Sequence, residues 1–457
     1  MRSHRTGTVI SAATLGAMLM ALASGQLVGS AERASAGFPS AVRDVDRWLS
    51  RSSIKTPAGL TWPADPKDAK SVGLSLYSGA PGVVLFYLEA EARARADAES
   101  GPADDFRTKA RAGADDLLTH VTDSELGAGL YEGAAGIAFV LEEAYRATQD
   151  DKYRQGFLTC LEYIAGKARR TGKGVEWSST TDIISGTAGT GLTLLYAHGR
   201  TAGKRWLDLA AAAGERLLEL AKAKNGGLDW AMDPAYPRLM PNFSHGTAGV
   251  AFFLARLFEA TKRKEFLDAA LAGGRYLVSI AKIADDSCLI YHDEPDGKDL
   301  YYLGWCHGPV GTANLFYELY RLTKDSSWMR LVEKQAHGLM DSGIPEKETP
   351  GFWNNDGICC GLAGVSDFFL SLYRITKNEH YIVFGRRALR VLESKATRDA
   401  TETRWIQAEH RTRPDFLVAQ TGLMQGAAGI GLVMLRWAAF DARPQGTPRV
   451  KLPDSAF

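Results

Sequence analysis

Residues 243–258 read FSHGTAGVAFFLARLF: a short polar lead, a G-x-x-G pair at Gly246 and Gly249, then an apolar run. One such pattern carries no weight. It recurs as LYSGAPGVVLFYL (76–88), LYEGAAGIAFVLEEAY (130–145), IISGTAGTGLTLLYA (183–197), WCHGPVGTANLFYELY (305–320), ICCGLAGVSDFFLSLY (358–373) and LMQGAAGIGLVMLRW (423–437). The first glycines are Gly79, Gly133, Gly186, Gly246, Gly308, Gly361 and Gly426, at steps of 53 to 65 residues. A chain of 457 residues would suggest about three domains by length alone, but a repeat of this period overrides that count.

A second register supports the repeat. Twelve residues after the second glycine, the five middle copies carry Thr148, Thr201, Thr261, Thr323 and Thr376. Five residues further on stand Tyr153, Trp206, Phe266, Trp328 and Tyr381. This interval predicts an inner helix of about three turns, a turn, and an outer helix opened by an aromatic. The first helices are apolar on most sides and the second are amphipathic, as in WLDLAAAAGERLLELA, so the first are expected to be buried on both faces. The seventh copy has no partner helix after it, whereas SAVRDVDRWLS (40–50) precedes the first copy unpaired. That segment can complete the outer layer beside the last inner helix. The expected fold is all-α: an α/α toroid of seven inner and seven outer helices, spanning residues 37–457 as one domain. An open α-solenoid is the alternative; glycines opening every inner helix suggest backbones crowded around one point and favour closure.

Composition narrows the function. Hydrophobic residues make up 45% and charged residues 23%, which excludes a disordered chain. The 54 basic and 53 acidic residues leave a net charge of +1, so nothing supports a nucleic-acid partner. Arg2 and Arg5 precede a stretch without charge from Thr6 to Ala31, followed by Ala34-Ser35-Ala36. This layout predicts a secretory signal peptide over residues 1–36 and an exported mature chain. The same stretch is long enough to serve as an uncleaved membrane anchor.

Seven inner helices starting at one end of a toroid aim their N-termini at one cavity. The residues before each G-x-x-G then form its floor: Ser78, Glu132, Asp182, His245, Cys306-His307, Cys359-Cys360 and Gln425. Three of the five cysteines thus occupy matching positions in adjacent repeats. Thiolates are favoured near helix N-termini, and a catalytic zinc site takes three protein ligands with one position open. Cys306, Cys359 and Cys360 are the candidate ligands for one Zn²⁺ per chain, with His307 a less favoured fourth. A Cys359–Cys360 disulfide is the competing reading in an oxidising compartment. Cys160 and Cys288 lie outside the register and are expected to be buried small hydrophobes. His120, His198, His292, His337, His380 and His410 also lie outside it and are expected at the surface. The loop DDSCLIYHDEPDGKDLYYL (285–303) is either a substrate contact or an ordinary surface connection.

The WCHG at Cys306, the CCG at Cys359 and Cys360, the HG at His245 and the repeated G-x-x-G resemble the lanthionine synthetase C (LanC-like) family over about residues 40–440. The resemblance implies the same seven-plus-seven toroid and a zinc ion held by Cys306, Cys359 and the residue at position 360. Many members have His at that last position, and some have Cys as here. Three thiolates leave Zn²⁺ with a net charge of −1, a weaker Lewis acid whose bound thiolate stays more nucleophilic. The resemblance further implies addition of a Cys thiolate to dehydroalanine or dehydrobutyrine, giving a lanthionine or methyllanthionine thioether. His245 is the expected proton donor or acceptor, with Asp182 orienting it or sharing the transfer. The expected partners are a peptide carrying Cys and dehydroamino acids, or a small thiol such as glutathione, with a separate dehydratase as supplier. Two other readings stand beside this one. A non-catalytic peptide- or thiol-binding protein would survive loss of His245. Another toroid enzyme, such as a glycoside hydrolase, would need paired carboxylates in the cavity, with Glu132, Asp182 and Asp356 as candidates.

Overall fold

The structure is a computed structural model and describes residues 39–457 except Pro237. The expected signal peptide lies outside the described residues. Residues Phe38–Phe457 form one compact unit. Fourteen α-helices lie in the described residues. The inner ones are α2 (Ala80–Ala96), α4 (Ala134–Thr148), α6 (Thr187–Thr201), α8 (Thr247–Thr261), α10 (Pro309–Thr323), α12 (Leu362–Thr376) and α14 (Ala427–Ala442). The outer ones are α1 (Ser40–Ser52), α3 (Ser100–Leu118), α5 (Asp151–Lys167), α7 (Lys204–Leu220), α9 (Lys264–Ile280), α11 (Ser326–Asp341) and α13 (Glu379–Ser394).

Each inner helix packs on the next, and α14 packs on both α2 and α1. The ring is therefore closed, the open solenoid is excluded, and α1 fills the outer place beside α14. Burial follows the expected split. In α8 every residue from Thr247 to Ala255 is buried, whereas in α7 burial follows one stripe, Trp206, Ala210, Ala213, Gly214 and Leu217.

The threonine register has a concrete cause. The five inner helices α4, α6, α8, α10 and α12 end at Thr148, Thr201, Thr261, Thr323 and Thr376, each followed by a left-handed residue with φ between 51° and 60°. Each threonine hydroxyl donates to the carbonyl four residues back, at 2.7–2.9 Å. Each also accepts from the backbone N–H two residues ahead, at 3.0–3.3 Å. One side chain thereby satisfies a carbonyl of the last turn and an amide of the next helix's entry.

At the opposite end of the inner helices, the seven entry turns are stitched together by backbone hydrogen bonds. The residue two before each first glycine takes part in every repeat. Tyr77 N–H donates to Tyr131 O, Tyr131 N–H to Ile184 O, and Ser244 N–H to Cys306 O, at 3.3, 2.8 and 2.9 Å. Cys306 N–H donates to Cys359 O at 3.2 Å, Cys359 N–H to Met424 O at 2.9 Å, and Met424 N–H to Tyr77 O at 2.8 Å. Ile183 N–H to Ser244 O, 3.2 Å, supplies the remaining link and closes the circuit. The glycines serve this ring locally. A Cβ at Gly246 would stand 1.4 Å from Met240 O, and one at Gly249 would stand 2.1 Å from Phe243 O. The crowding comes chiefly from each repeat's own entry turn folding back, six residues upstream, rather than from a shared central point.

Three features were not foreseen. Six two-stranded antiparallel hairpins lie in the described residues: β1–β2 (Ile54–Lys55, Leu60–Thr61), β3–β4 (Arg169–Thr171, Gly174–Glu176), β5–β6 (Lys222–Lys224, Gly227–Asp229), β7–β8 (Lys282–Ile283, Cys288–Leu289) and β9–β10 (Thr397–Arg398, Thr403–Arg404) each follow an outer helix, and β11–β12 (Gln407–Ala408, Leu417–Val418) follows β9–β10. Trp62, Trp177, Trp230 and Trp405 each donate an indole N–H, at 2.7–2.9 Å, to the carbonyl thirteen residues back near an outer helix's C-terminus. The C-terminal tail also does not lie loose on the surface: Val450 and Asp454 are buried against the inner helices.

Gly246→Ala forces backbone out of the ring and is expected to cost about 3 kcal/mol or more. Gly199→Ala, exposed in α6 with nothing near its Cβ position, is expected to gain about 0.5–1 kcal/mol. Urea unfolding midpoints measure both; a tolerated Gly246→Ala would contradict the role assigned to the entry turns.

Candidate functional site

The ring of entry turns forms the floor of a cavity of about 390 Å³. Its lining includes Ser78, Glu132, His245, Cys306, His307, Cys359, Cys360 and Gln425, so the repeats do contribute to one pocket as expected. Because the residue two before each first glycine is tied into the ring, Cys306 and Cys359 are fixed by their own backbones. Cys360 follows directly.

The three sulfurs lie within 4.8 Å of one another, all buried. Cys360 Sγ is 3.2 Å from Cys306 Sγ and 3.3 Å from Cys359 Sγ. No disulfide joins them; all five cysteines are free in this structure. Cys359 is held well below the ordinary thiol range: burial opposes this, but hydrogen bonds from Cys306, Cys360 and Tyr77 overcome it. Cys306 is pushed up by burial and by Cys359. Cys360 is pushed up by its hydrogen bonds to both neighbours and by burial. Three buried sulfurs gathered in this way are a donor set suited to a soft cation. Tetrahedral zinc with Zn–S of about 2.3 Å places sulfurs about 3.8 Å apart, so the two Cys360 contacts need open by only about half an ångström. By contrast, burial pushes Cys160 up to about 12 and Cys288 up to about 11, the expected inert thiols.

Asp182 uses its two oxygens for different tasks. Oδ1 accepts from Ser185 N at 3.0 Å and Gly186 N at 2.8 Å, capping the entry to α6. Oδ2 sits 2.6 Å from His245 Nδ1. Asp182 itself is 1% exposed, so the helix-entry turn locks the carboxylate behind the imidazole. With Nδ1 engaged, Nε2 is the ring nitrogen left for chemistry. Burial alone would lower the His245 pKa. The hydrogen bond and charge of Asp182, with Cys359 and Glu132 adding, outweigh it and hold the imidazole above its ordinary value.

His307 stands apart from the sulfur group. Its ring lies 4.4 Å from that of His292 and 5.5 Å from that of His245, and its buried Nδ1 has no partner. Burial, together with His292 and His245, pushes it well below the ordinary histidine range. It lines the cavity wall beside the sulfur group.

The surface assignment of His292 was wrong. Its ring packs 4.2 Å from Tyr302 and, with His307, lines the cavity. The 285–303 loop therefore borders the site rather than merely connecting helices. Exposed His410 also reaches the rim, beside Glu409 and Arg411, from the β11–β12 hairpin. Tyr77, Tyr302 and Trp353 were missed as well. Tyr77 could have been found, because it holds the same register position as Cys306 and Cys359. The others sit on loops with no repeat signal. Of the three candidate carboxylates only Glu132 lines the cavity: Asp356 faces Lys395, 3.4 Å away, and Asp182 lies behind His245.

Comparison with known proteins agrees with this fold. Nisin cyclase has a similar structure, with a TM-score of 0.59 and 17% identity over 87% of this chain and 95% of that one. A sugar epimerase from a ruminal bacterium matches with a TM-score of 0.49 and 12% identity over 73% of this chain and 97% of that one. The GH76 α-mannanase of Bacteroides thetaiotaomicron matches with a TM-score of 0.46 and 12% identity, over 91% and 97%. The last two are too distant to inform function. The sequence model described as lanthionine synthetase C-like protein matches residues 70–445, which contain every cavity cysteine and histidine, and the chain belongs to that family.

Proposed function

We propose that this protein is a zinc-dependent cyclase of the lanthionine type, adding a cysteine thiolate to a dehydroalanine or dehydrobutyrine. The observation that carries the reading is the three-sulfur cluster beside the His245–Asp182 pair on one cavity floor. Cys306, Cys359 and Cys360 would hold the ion, and their chemistry fits it. Zinc bound there would supply a cation that keeps a substrate thiol deprotonated near neutral pH.

The chain's own residues account for the rest. The sulfur of the substrate bonds to the β-carbon of the dehydroamino acid, and the C=C electron pair moves to the α-carbon side as an enolate. His245, its proton affinity raised by Asp182, delivers a proton from Nε2 to the α-carbon. The proton released by the thiol returns the imidazole to its starting state, so the sum is addition of S–H across C=C. His307, kept neutral by burial, does not compete for that proton. A peptide substrate, with a small thiol as the alternative nucleophile, fits a cavity of this size.

The direct assay mixes the metal-loaded protein with a peptide bearing dehydroalanine and cysteine, and follows loss of alkylatable thiol by mass spectrometry. His245→Ala is expected to slow the reaction about 10²–10³-fold while metal content is retained; full activity in that variant would favour a binding role. Asp182→Asn removes the charge that raises the His245 pKa. The protonated fraction then falls at lower pH, so the alkaline limb of the rate profile is expected to move to lower pH. An unmoved limb would contradict the pairing.

We further propose that the protein acts after export, on the strength of the charge-free Thr6–Ala31 stretch and the Ala34-Ser35-Ala36 site. N-terminal sequencing of the protein from its native source is expected to begin at Gly37. A chain beginning at Met1 in the cytosol would contradict export.

A further inference from the structure

The C-terminal tail enters the toroid and reaches the underside of the sulfur site. It is tied in along its length. Glu89 of α2 accepts from Val450 N at 2.8 Å, Asn314 of α10 accepts from Ala456 N at 3.0 Å, and Phe457 stacks on Tyr317 at 5.0 Å. Between these anchors, Asp454 is 2% exposed and accepts from the Tyr131 hydroxyl at 3.0 Å.

Tyr131 leads onward to two of the three cysteines. Its ring packs edge-on against Trp305 at 5.4 Å, and Trp305 N and Cys306 N both donate to Cys359 O, at 2.7 and 3.2 Å. Its ring also meets Tyr77 edge-on at 6.3 Å. Tyr77 in turn lines the same cavity as Cys359 and accepts from Gln425 at 3.0 Å. Tyr131 itself belongs to the backbone ring, donating to Ile184 O and accepting from Tyr77 N. A buried carboxylate from the last four residues of the chain thus braces the aromatic layer on which the ligand turns rest. A small cavity of about 80 Å³ beside Tyr131, Trp305 and Asp454 leaves the layer room to shift if that brace is lost.

We propose that Asp454 is a positioning residue of the metal site: through Tyr131 it fixes Trp305 and Tyr77, and with them the spacing of the Cys306 and Cys359 sulfurs. The inference rests on the metal reading above. Residues that orient ligands without touching the ion typically change metal affinity about 10–100-fold when removed.

The test uses the full chain loaded with Co²⁺, whose thiolate charge-transfer absorption reports sulfur geometry, and competition of the Zn²⁺-loaded chain against a chelator. Asp454→Ala and Tyr131→Phe are each expected to weaken zinc retention about tenfold or more and to alter the cobalt spectrum. The double variant is expected to be no worse than either single one. Asp454→Asn keeps an oxygen able to accept from Tyr131 and is expected to restore wild-type affinity and spectrum. Variants whose unfolding midpoints drop while spectrum and affinity stay unchanged would show a purely structural tail and overturn the inference. Asp454→Asn as damaged as Asp454→Ala would overturn it too, since the hydrogen bond would not be the cause. A wild-type chain that takes up neither metal overturns the metal reading and this inference together, whereas unchanged variants overturn this inference alone.

Discussion

The closed circuit of backbone hydrogen bonds linking the seven entry turns is the constraint on which the rest depends. It joins the same register position in every repeat, from Tyr77 through Tyr131, Ile184, Ser244, Cys306 and Cys359 to Met424 and back. Buried backbone groups must be paired, and here each entry turn finds its partner in the adjacent repeat. Two consequences follow. The inner helices are held in a ring rather than a spiral, and cysteines 53 residues apart in sequence are placed side by side. The glycines that open each helix are what let the turns fold close enough to make these bonds.

Given that ring, the next residue in each repeat is free to carry chemistry. It is Ser78, Glu132, Ser185, His245, His307, Cys360 and Gln425 in turn. His245 and His307 hold equivalent positions in adjacent repeats, yet their tendencies are opposite. Burial disfavours the charged imidazole at His307 and, in part, at half-buried His245, but only His245 has a carboxylate behind it. Asp182 reaches that place because its other oxygen caps α6. A single aspartate therefore both begins a helix and raises the proton affinity of one histidine but not the other.

Much of this was legible in the sequence because the repeat is written twice, once in the glycine pairs and once in the threonines. Both mark backbone events, a tight entry and a left-handed exit, that leave residue choice little freedom. The cysteine cluster was legible for the same reason: shared register implies shared place. What escaped notice lacks a repeat. His292, Tyr302, Trp353 and the Glu409–Arg411 rim sit on loops of differing length, where nothing in the sequence fixes direction. The indole bonds of Trp62, Trp177, Trp230 and Trp405 do repeat, but in four units only, and through an interval of thirteen residues that spans a helix end and a hairpin. The burial of the C-terminal tail depends on contacts more than three hundred residues distant, such as Asp454 with Tyr131.

The central claim is that three cysteines on the cavity floor form one metal site. It is tested most directly by elemental mass spectrometry of the purified chain under reducing conditions, beside the Cys306→Ala protein. The account predicts one zinc per chain, lost on substitution. A metal-free chain, or zinc retained at full occupancy without Cys306, would contradict it.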